Sequence, residues 1–534
     1  MKKLILFLSI FSAGQVAAQH TLNWAEQMVP ATASSGITSK KIAVDASGNV
    51  YTTGEFSGQV DFDPGPGIFN LNTPTGSGGG NIFISKLTAN GDFVWAKQFT
   101  GTIYMYANAL AVSPAGDVYV GGTFNNTVDF DPGSGTAYLT ATSPSDIFIC
   151  RLTSAGDFVW VKHIGADDSQ SVLAMEFAHD GGLLLTGYGD PLTDYDPGAP
   201  VVNINDDGYL LKLTSSGDFV WVTAIAHTGQ AIDVESDGTI LQLGDDMNFI
   251  SLNKLDASGN LLWSKTFNGG YMSAGDVTHG PAGDIYVSGN FESTISWGSA
   301  SNETLNATNM RDAFIIHFDQ SGTTLDAWQF EGTGYNTLNS LQFNNGSLTA
   351  AGYFSGPTDF DPGAGTITVN STQPGWSDVV LLTLSPSGTV ECLSTIGSTQ
   401  PDYPSSMVFT SQGNFLVTGT VGDTADFDPG AGTAMLNYGS NFIAMYESCI
   451  AAGINEANSQ QPLFCQPNPA SNSFIVSANG EWQLQVYTIE GRLVKQVERS
   501  EMQEVDVSDL VSGIYTVSLF RDNKVIHQKM VISR

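Results

Sequence analysis

Positive charge is scarce in this chain. Lys and Arg number 19 against 53 Asp and Glu, a formal net charge of −34 over 534 residues. A field of that sign repels phosphate backbones and anionic lipid, which excludes nucleic acid as a partner class and leaves divalent cations compatible. Cysteine is equally sparse: Cys150, Cys392, Cys449 and Cys465 are spaced to fit no zinc signature. Four thiols allow three pairings between which spacing does not choose, so the simplest expectation is one disulfide with the other thiols buried or free. Beyond residue 18 there is no run long and apolar enough to span a bilayer. Catalytic signatures are missing too. The seven histidines, among them His163, His179, His227, His279 and His317, do not recur in one register, and none sits in a nucleophile or zinc motif. The stretches GDPLTDYDPG and GSGGGN are loops between strands rather than phosphate-binding strand-to-helix turns. No catalytic residue is assigned, and an enzyme is the lesser expectation.

The one long apolar run is at the start. Residues 1–18 carry Lys2 and Lys3, then LILFLSIF, then Val16-Ala17-Ala18 before Gln19. This is the pattern of a Sec signal peptide, too short for a membrane anchor. The rest is rich in Gly (59) and aromatics (10%), with only 13% charged residues, as in a large extracytoplasmic β-protein. Charge divides it unequally. Residues 19–461 hold 10 basic and 45 acidic side chains, whereas residues 462–534 hold 7 and 8. Two different bodies are implied.

The first is a repeat. From Ile42 to Phe99 four alternating apolar runs are separated by Gly, Asn or Asp turns, and versions of this unit recur along the chain. Four short strands per repeat predict propeller blades. Two markers count them. Trp95, Trp160, Trp221, Trp263 and Trp328 occupy the fourth strand, Cys392 takes that place in the sixth copy, and the seventh is supplied from the front by Trp24 in LNWAEQ. In the second strand stand Gly54, Gly122, Gly187, Gly244, Gly289, Gly352 and Gly419, each predicted to mark a bulge or a close backbone approach. Both markers give seven, with the N-terminal strand completing the last blade and removing the exposed sheet edges.

Seven residues after the marker glycine, five blades carry Asp-aromatic-Asp-Pro-Gly: Asp61 and Asp63 about Phe62, Asp129 and Asp131 about Phe130, Asp194 and Asp196 about Tyr195, Asp359 and Asp361 about Phe360, Asp426 and Asp428 about Phe427. Blade four lacks the segment, and blade five has Ser296-Trp297-Gly298 in that register. In an extended segment both carboxylates share one face. Such a pair either begins a turn, with the aromatic plugging the blade, or recruits a cation. Ca2+ is the candidate cofactor, with carbonyls and water completing its shell.

Loop lengths give the ring a polarity. First-to-second and third-to-fourth turns are short and share one face; second-to-third and blade-to-blade links are longer, acidic and share the other. The long-loop face is the expected binding surface, with a glycan or a protein as ligand. An extracellular polysaccharide hydrolase or lyase using carboxylates on that face is the alternative, and a structural surface component without ligand a third.

From Ala451 the repeat stops. Residues 451–461 read as a polar linker, and residues 462–534 as a small all-β sandwich of alternating strands. Within the latter, Pro467-Asn468-Pro469, Gly491 in EGRLV, Asp506 and Leu510 in VDVSDL, and Gly513 and Tyr515 in SGIY stand in order. This resembles the type A C-terminal sorting domain of the type IX (Por) secretion system; Cys465-Gln466 replaces the usual aromatic. The resemblance implies the type IX machinery as a partner and export across the outer membrane of a Bacteroidota-type bacterium to the surface or the medium, the domain being cleaved or its cargo attached to lipopolysaccharide. Likewise VDASGNVYTTG, DFDPG and GDFVWAK resemble the SBBP-type repeats of bacterial β-propellers over residues 21–449, which implies the seven-bladed fold and no defined activity. The expectation is all-β throughout: signal peptide 1–18, propeller 19–450, linker 451–461, sorting domain 462–534.

Overall fold

The computed structural model describes residues 17–449, apart from 33, 75–78, 167, 199, 299–302 and 438–439. It also describes residues 465–532, apart from 467–471, 477–481, 489–492, 500–502, 512 and 522–523. The expected signal peptide (save Ala17 and Ala18), the linker, and Pro467, Asn468, Pro469 and Gly491 lie outside the described residues. The chain divides into two compact units, Met1–Cys449 and Ile450–Arg534.

Among the described residues the first unit contains seven antiparallel four-stranded meanders. Blade one runs Gly36–Val44, Val50–Ser57, Asn81–Leu87 and Phe93–Gly101; its second and third strands are buried at nearly every position. Strands buried on both faces belong to sheets stacked between other sheets. The first strands of the seven blades, Gly36–Val44, Met105–Val112, Ser171–Phe177, Thr228–Val234, Met272–His279, Asn336–Asn344 and Tyr403–Phe409, touch one another in a closed cycle. They form the inner wall of a ring. Blade seven is completed from the front: Thr21–Glu26 pairs antiparallel with Ser440–Glu447, Trp24 opposite Met445.

The second-strand glycines have a common cause. In every blade the inner strand carries a bulge opposite them, for example between Ser39 and Lys41 and between Leu338 and Ser340. The bulge pushes an inner-strand carbonyl toward the neighbouring backbone. A methyl on Gly54 would sit 1.9 Å from the Thr38 carbonyl oxygen, and one on Gly122 would sit 1.8 Å from that of Tyr106.

The fourth-strand tryptophans lock each blade to the next. Trp95 lies against Gly156, in the third-to-fourth turn of blade two, and its indole N–H donates to the Ser154 carbonyl (3.2 Å). Trp24 does the same on Gly91 and Ala89 (3.1 Å). Gly156 has φ +78°, so the turn needs glycine and the ring needs its bare Cα. Blade six has no such turn ahead of it, because blade seven borrows its fourth strand. There Cys392 stands in the tryptophan position and forms a disulfide with Cys449, just past the last repeat strand. Cys150 is a buried free thiol. The N-terminal segment adds further stitches at the junction. The His20 main-chain N–H donates to the Ser394 hydroxyl (2.9 Å), and its buried ring joins Ser394 and Thr383 through its two nitrogens (2.9 and 3.0 Å).

In the second unit a three-stranded sheet (Cys465–Gln466, Ser473–Val476, Gln503–Asp506) and a four-stranded sheet (Leu493–Arg499, Trp482–Thr488, Gly513–Arg521, Lys524–Ile532) share one core around Phe474, Leu484, Val505 and Val517. This is a β-sandwich.

Removing the Cys392–Cys449 crosslink by Cys392→Ser is expected to lower the unfolding free energy of the propeller by about 2–4 kcal/mol, read by denaturant titration. Cys150→Ser is expected to shift it by far less. Equal effects from the two variants would show that the ring does not depend on the crosslink.

Candidate functional site

The acidic segments are hairpins inserted between second and third strands. They are straps between blades. The blade-two hairpin pairs Val128 with Gly101 and Asp129 with Thr100 on the fourth strand of blade one. The blade-one hairpin pairs Asp61 with Val29, just after the N-terminal closing strand, and the blade-six hairpin donates Asp359 N–H to the Glu331 carbonyl after the fourth strand of blade five (2.8 Å). The blade-five hairpin pairs in the same way with blade four, and Trp297 is buried in the aromatic position.

Within each strap the carboxylates hold the turn. Asp61 Oδ1 accepts from the N–H groups of Asp63 (3.1 Å) and Phe69 (2.8 Å), and Asp63 Oδ1 accepts from Gly65 (2.9 Å). The same three bonds recur at Asp129 and Asp131, Asp194 and Asp196, Asp359 and Asp361, and Asp426 and Asp428. Phe62, Phe130, Tyr195, Phe360 and Phe427 are buried beneath them. This is the hydrogen bonding of an Asx turn over an aromatic plug. For calcium, each pair has its Oδ2 atoms left over, and among the described residues no third carboxylate or imidazole stands within reach of one ion. Backbone carbonyls and water would have to supply the remaining ligands. Among the described residues the one grouping of three His, Cys or acidic ligand atoms is His20, Cys392 and Cys449. Its two sulfurs are already joined, which makes it a structural knot.

Two other places gather functional side chains. At the long-loop face, Tyr104, Tyr106, Tyr271, Tyr335 and Tyr403 stand before or at the start of inner strands, and Phe249 and Trp376 at or before third strands. All are 38–54% exposed. Strand alternation puts every one of these on the same face. Several are held in place: Tyr104 and Tyr106 lie parallel with centroids 6.4 Å apart, Tyr403 meets Tyr353 edge to face at 4.9 Å, and the Arg311 guanidinium sits between Tyr271 (4.4 Å) and Tyr335 (5.2 Å) while pairing with Glu292 (2.8 Å).

The second place is the axial channel. A cavity of about 300 Å³ is lined by residues of all seven inner strands, including Lys41, Glu176, Gln230, Asp276, Asn339 and Gln342. Asp276 accepts from the N–H groups of Leu341 (3.0 Å) and Val277 (2.9 Å). Asp233 accepts from both the backbone N–H and Nδ1 of His279 (2.6 Å each). Burial drives the titrations here. It pushes Asp276 up to about 6 against the pull of Leu341 N–H and Lys41, and it pushes Glu176 well up, with Asp233 and Asp276 adding to the effect. Burial likewise lowers Lys41, and the hydrogen bond to Asp233 raises His279. At the blade-one to blade-two junction Glu55 accepts from Ala107 N–H (3.1 Å) near Lys40 (4.0 Å), and burial pushes it up to about 7.

No channel residue was singled out from the repeat pattern. Lys41, Glu176 and Asp276 occupy non-equivalent positions, and only the bulge decides which inner-strand side chains face the axis. The sorting-motif residues that are described serve a turn. Asp506 accepts from Ser508 N–H (2.8 Å), Leu510 is buried, Gly513 opens a strand, and the Tyr515 hydroxyl donates to the Val511 carbonyl (2.9 Å).

Residues 466–533 match the secretion system C-terminal sorting domain. That domain is an export address. It assigns the protein to the type IX secretion machinery and to the cell surface or the medium. Among curated proteins, the chain is 22% identical over 357 residues to an uncharacterized WD repeat-containing protein of Acanthamoeba polyphaga mimivirus, covering 59% of this chain and 24% of that protein. The chain thus spans about a quarter of the length of the curated relative it matches. Similar solved structures include BamB from Moraxella catarrhalis (12% identity, 82% of this chain and 97% of that chain, TM-score 0.31). They also include YCF48 bound to D1 peptide (9%, 82% and 99%, 0.39) and the PQQ-bound aldose sugar dehydrogenase of Streptomyces coelicolor (12%, 64% and 96%, 0.30). No helix among the described residues is long and apolar enough to cross a membrane.

If the carboxylates cap turns, Asp361→Ala is expected to cost about 1 kcal/mol and Asp361→Asn much less, because the amide oxygen still accepts from the Gly363 N–H. Chemical denaturation of the two variants decides. A rise in Tm with calcium that the wild type shows and Asp361→Asn lacks would assign an ion to the same carboxylate. A second test uses pH. Glu55 has a folded pKa of about 7, above its ordinary value, so the stability associated with it is fully present below about pH 4.5 and lost as pH rises through 7. Glu55→Gln is therefore expected to gain on the wild type by roughly 1–3 kcal/mol between pH 4.5 and 8; a gap that stays constant with pH would refute the assignment.

Proposed function

We propose that this is a cell-surface or secreted binding protein whose propeller engages a glycan or a protein ligand at the long-loop face. The observation that supports it is the concentration of exposed tyrosines on that face, next to the channel mouth. Aromatic rings with a polar edge offer large contact area at little cost in side-chain entropy, and they recur at recognition surfaces. The acidic straps brace the ring from the same side and lend the surface its negative field. Calcium at the Asp pairs is a proposal resting on their remaining oxygens and would stiffen the straps. Cleavage before Gln19 by the Sec pathway is likewise proposed from the charge and length of the leading segment.

A second reading, a polysaccharide hydrolase or lyase, draws on the channel. Glu176 and Asp276 are carboxylates raised by burial in one cavity, as a general acid requires. Release of reducing ends or unsaturated products from extracellular polysaccharides, abolished by Glu176→Gln, would favour it over the binder.

For the binding reading, the secreted protein is screened on a glycan array and against surface extracts. Tyr104→Ser with Tyr106→Ser is expected to weaken retention of the hit at least tenfold without changing Tm by more than a few degrees. A hit retained equally by this double variant and by Tyr335→Ser would move the site off this face.

A further inference from the structure

The straps share one plan, and the blade-two strap departs from it. Across the hairpin from the first aspartate the five Asp-bearing straps place Asn70, Tyr138, Asn203, Thr368 and Met435. Blade two alone among these puts an aromatic ring there, and Tyr138 is 64% exposed. An exposed ring by itself is ordinary. Its surroundings are less so. Because this strap pairs with the fourth strand of blade one, three strands run side by side and their side chains fall in rows: Thr100 stands across from Asp129, and Asp129 across from Tyr138. Alternation brings Gln98, Thr127 and Asp131 to the same face. The opposite face carries Phe99, Val128 and Phe130, all buried in one core. The polar face borders a groove of about 770 Å³, lined by Gln98, Thr100, Thr127, Asp129, Asp131 and Tyr138, a volume within the range of ligand sites.

The chemistry of this lining narrows the occupant. Asp129 Oδ1 is taken up by the N–H groups of Asp131 (3.1 Å) and Ala137 (2.8 Å), and Asp131 Oδ1 by that of Gly133 (2.8 Å). One oxygen of each carboxylate remains as an acceptor. Gln98 Nε2 donates to the Asn72 carbonyl (3.3 Å), and its buried Oε1 has no donor among the described residues. The surplus at this face is therefore of acceptors, and an occupant must bring hydroxyl or N–H donors. A guanidinium is a poor match, since fork-on-fork pairing needs both oxygens of one carboxylate. Acidic polymers are repelled by the excess of acidic side chains in this unit. A neutral sugar meets both requirements: hydroxyl groups that donate, and an apolar C–H face that lies on an aromatic ring.

We propose that the groove on the blade-two strap is a binding site for a neutral oligosaccharide. Tyr138 stacks on one sugar ring, and Asp129 accepts from that ring's hydroxyl groups beside Thr100. Such a site rests on the glycan-binding reading given above and adds an address to it, since none of the exposed tyrosines of the inner strands takes part.

The test is titration calorimetry of the secreted protein with cellohexaose, maltohexaose, mannohexaose and xylohexaose, with hexagalacturonate and hexaarginine as charged alternatives, each in the presence and absence of EDTA. Saturable binding of at least one neutral hexasaccharide is expected, unchanged by EDTA. Tyr138→Ala is expected to weaken it roughly tenfold or more. Asp129→Asn is expected to weaken it as well, because its amide oxygen still holds the turn while a donor replaces the second acceptor. Both variants are expected to keep Tm within a few degrees of the wild type. Binding that Tyr138→Ala leaves at full strength would overturn the groove alone, as would weakening by Tyr104→Ser with Tyr106→Ser but not by Tyr138→Ala. Absence of binding by every neutral hexasaccharide would overturn the groove and the glycan half of the wider reading together. Tighter, Tyr138-dependent binding of hexagalacturonate or hexaarginine would give the groove to a charged ligand, and loss of binding in EDTA would give its carboxylates to an ion; either overturns the neutral-sugar site.

Discussion

Closure of the ring is the constraint on which everything else rests. A blade alone is a four-stranded sheet with two open edges and two apolar faces, and it becomes stable only between neighbours. The ring starts and finishes within one blade, so the last interface is made by pairing Thr21–Glu26 with Ser440–Glu447. The break between the first and last strands of the ring is covered in three ways: by the Trp24 indole on the first blade's turn, by His20 buried against blade six, and by the disulfide from Cys392 to Cys449. The sixth repeat abandons tryptophan because the turn it would cover does not exist.

Closure also explains the distribution of charge. With hydrophobic sheets stacked face to face, acidic residues gather in turns, in straps, at strand ends and at the axis. In the straps they cap turns by accepting main-chain N–H groups, which satisfies donors the hairpin would otherwise leave open. On the axis, seven converging strands place side chains from distant repeats side by side, in a setting where charge is costly. The net negative field of the chain is thus partly a surface property and partly the result of this convergence.

Much of this was legible in the repeat. Alternation of apolar residues, glycine in the second strand and tryptophan in the fourth are local signals, each tied to a single contact within a blade or with its neighbour. The resemblance of VDVSDL and SGIY to a sorting domain was equally local, since these residues form one turn and the strand after it. The straps were legible as extended acidic segments leading into a turn, but neither their hairpin pairing nor their role in joining blades was. The pairing of Val128 with Gly101 depends on how the hairpin folds back over the preceding blade. The channel was invisible for a related reason: each inner strand carries a bulge, and a one-residue change of register reverses which side chains face the axis.

The sequence by itself determined the strand repeat, the number of blades, the borrowed closing strand, the export domain and the sign of the field, because each is written in periodicity or in a contiguous motif. Only the tertiary structure decided which cysteines join, where the aspartates of the straps direct their oxygens, and that Lys41, Glu176 and Asp276 share one cavity. Those depend on residues far apart in the chain being brought to one place by ring closure, and no local pattern records such a meeting.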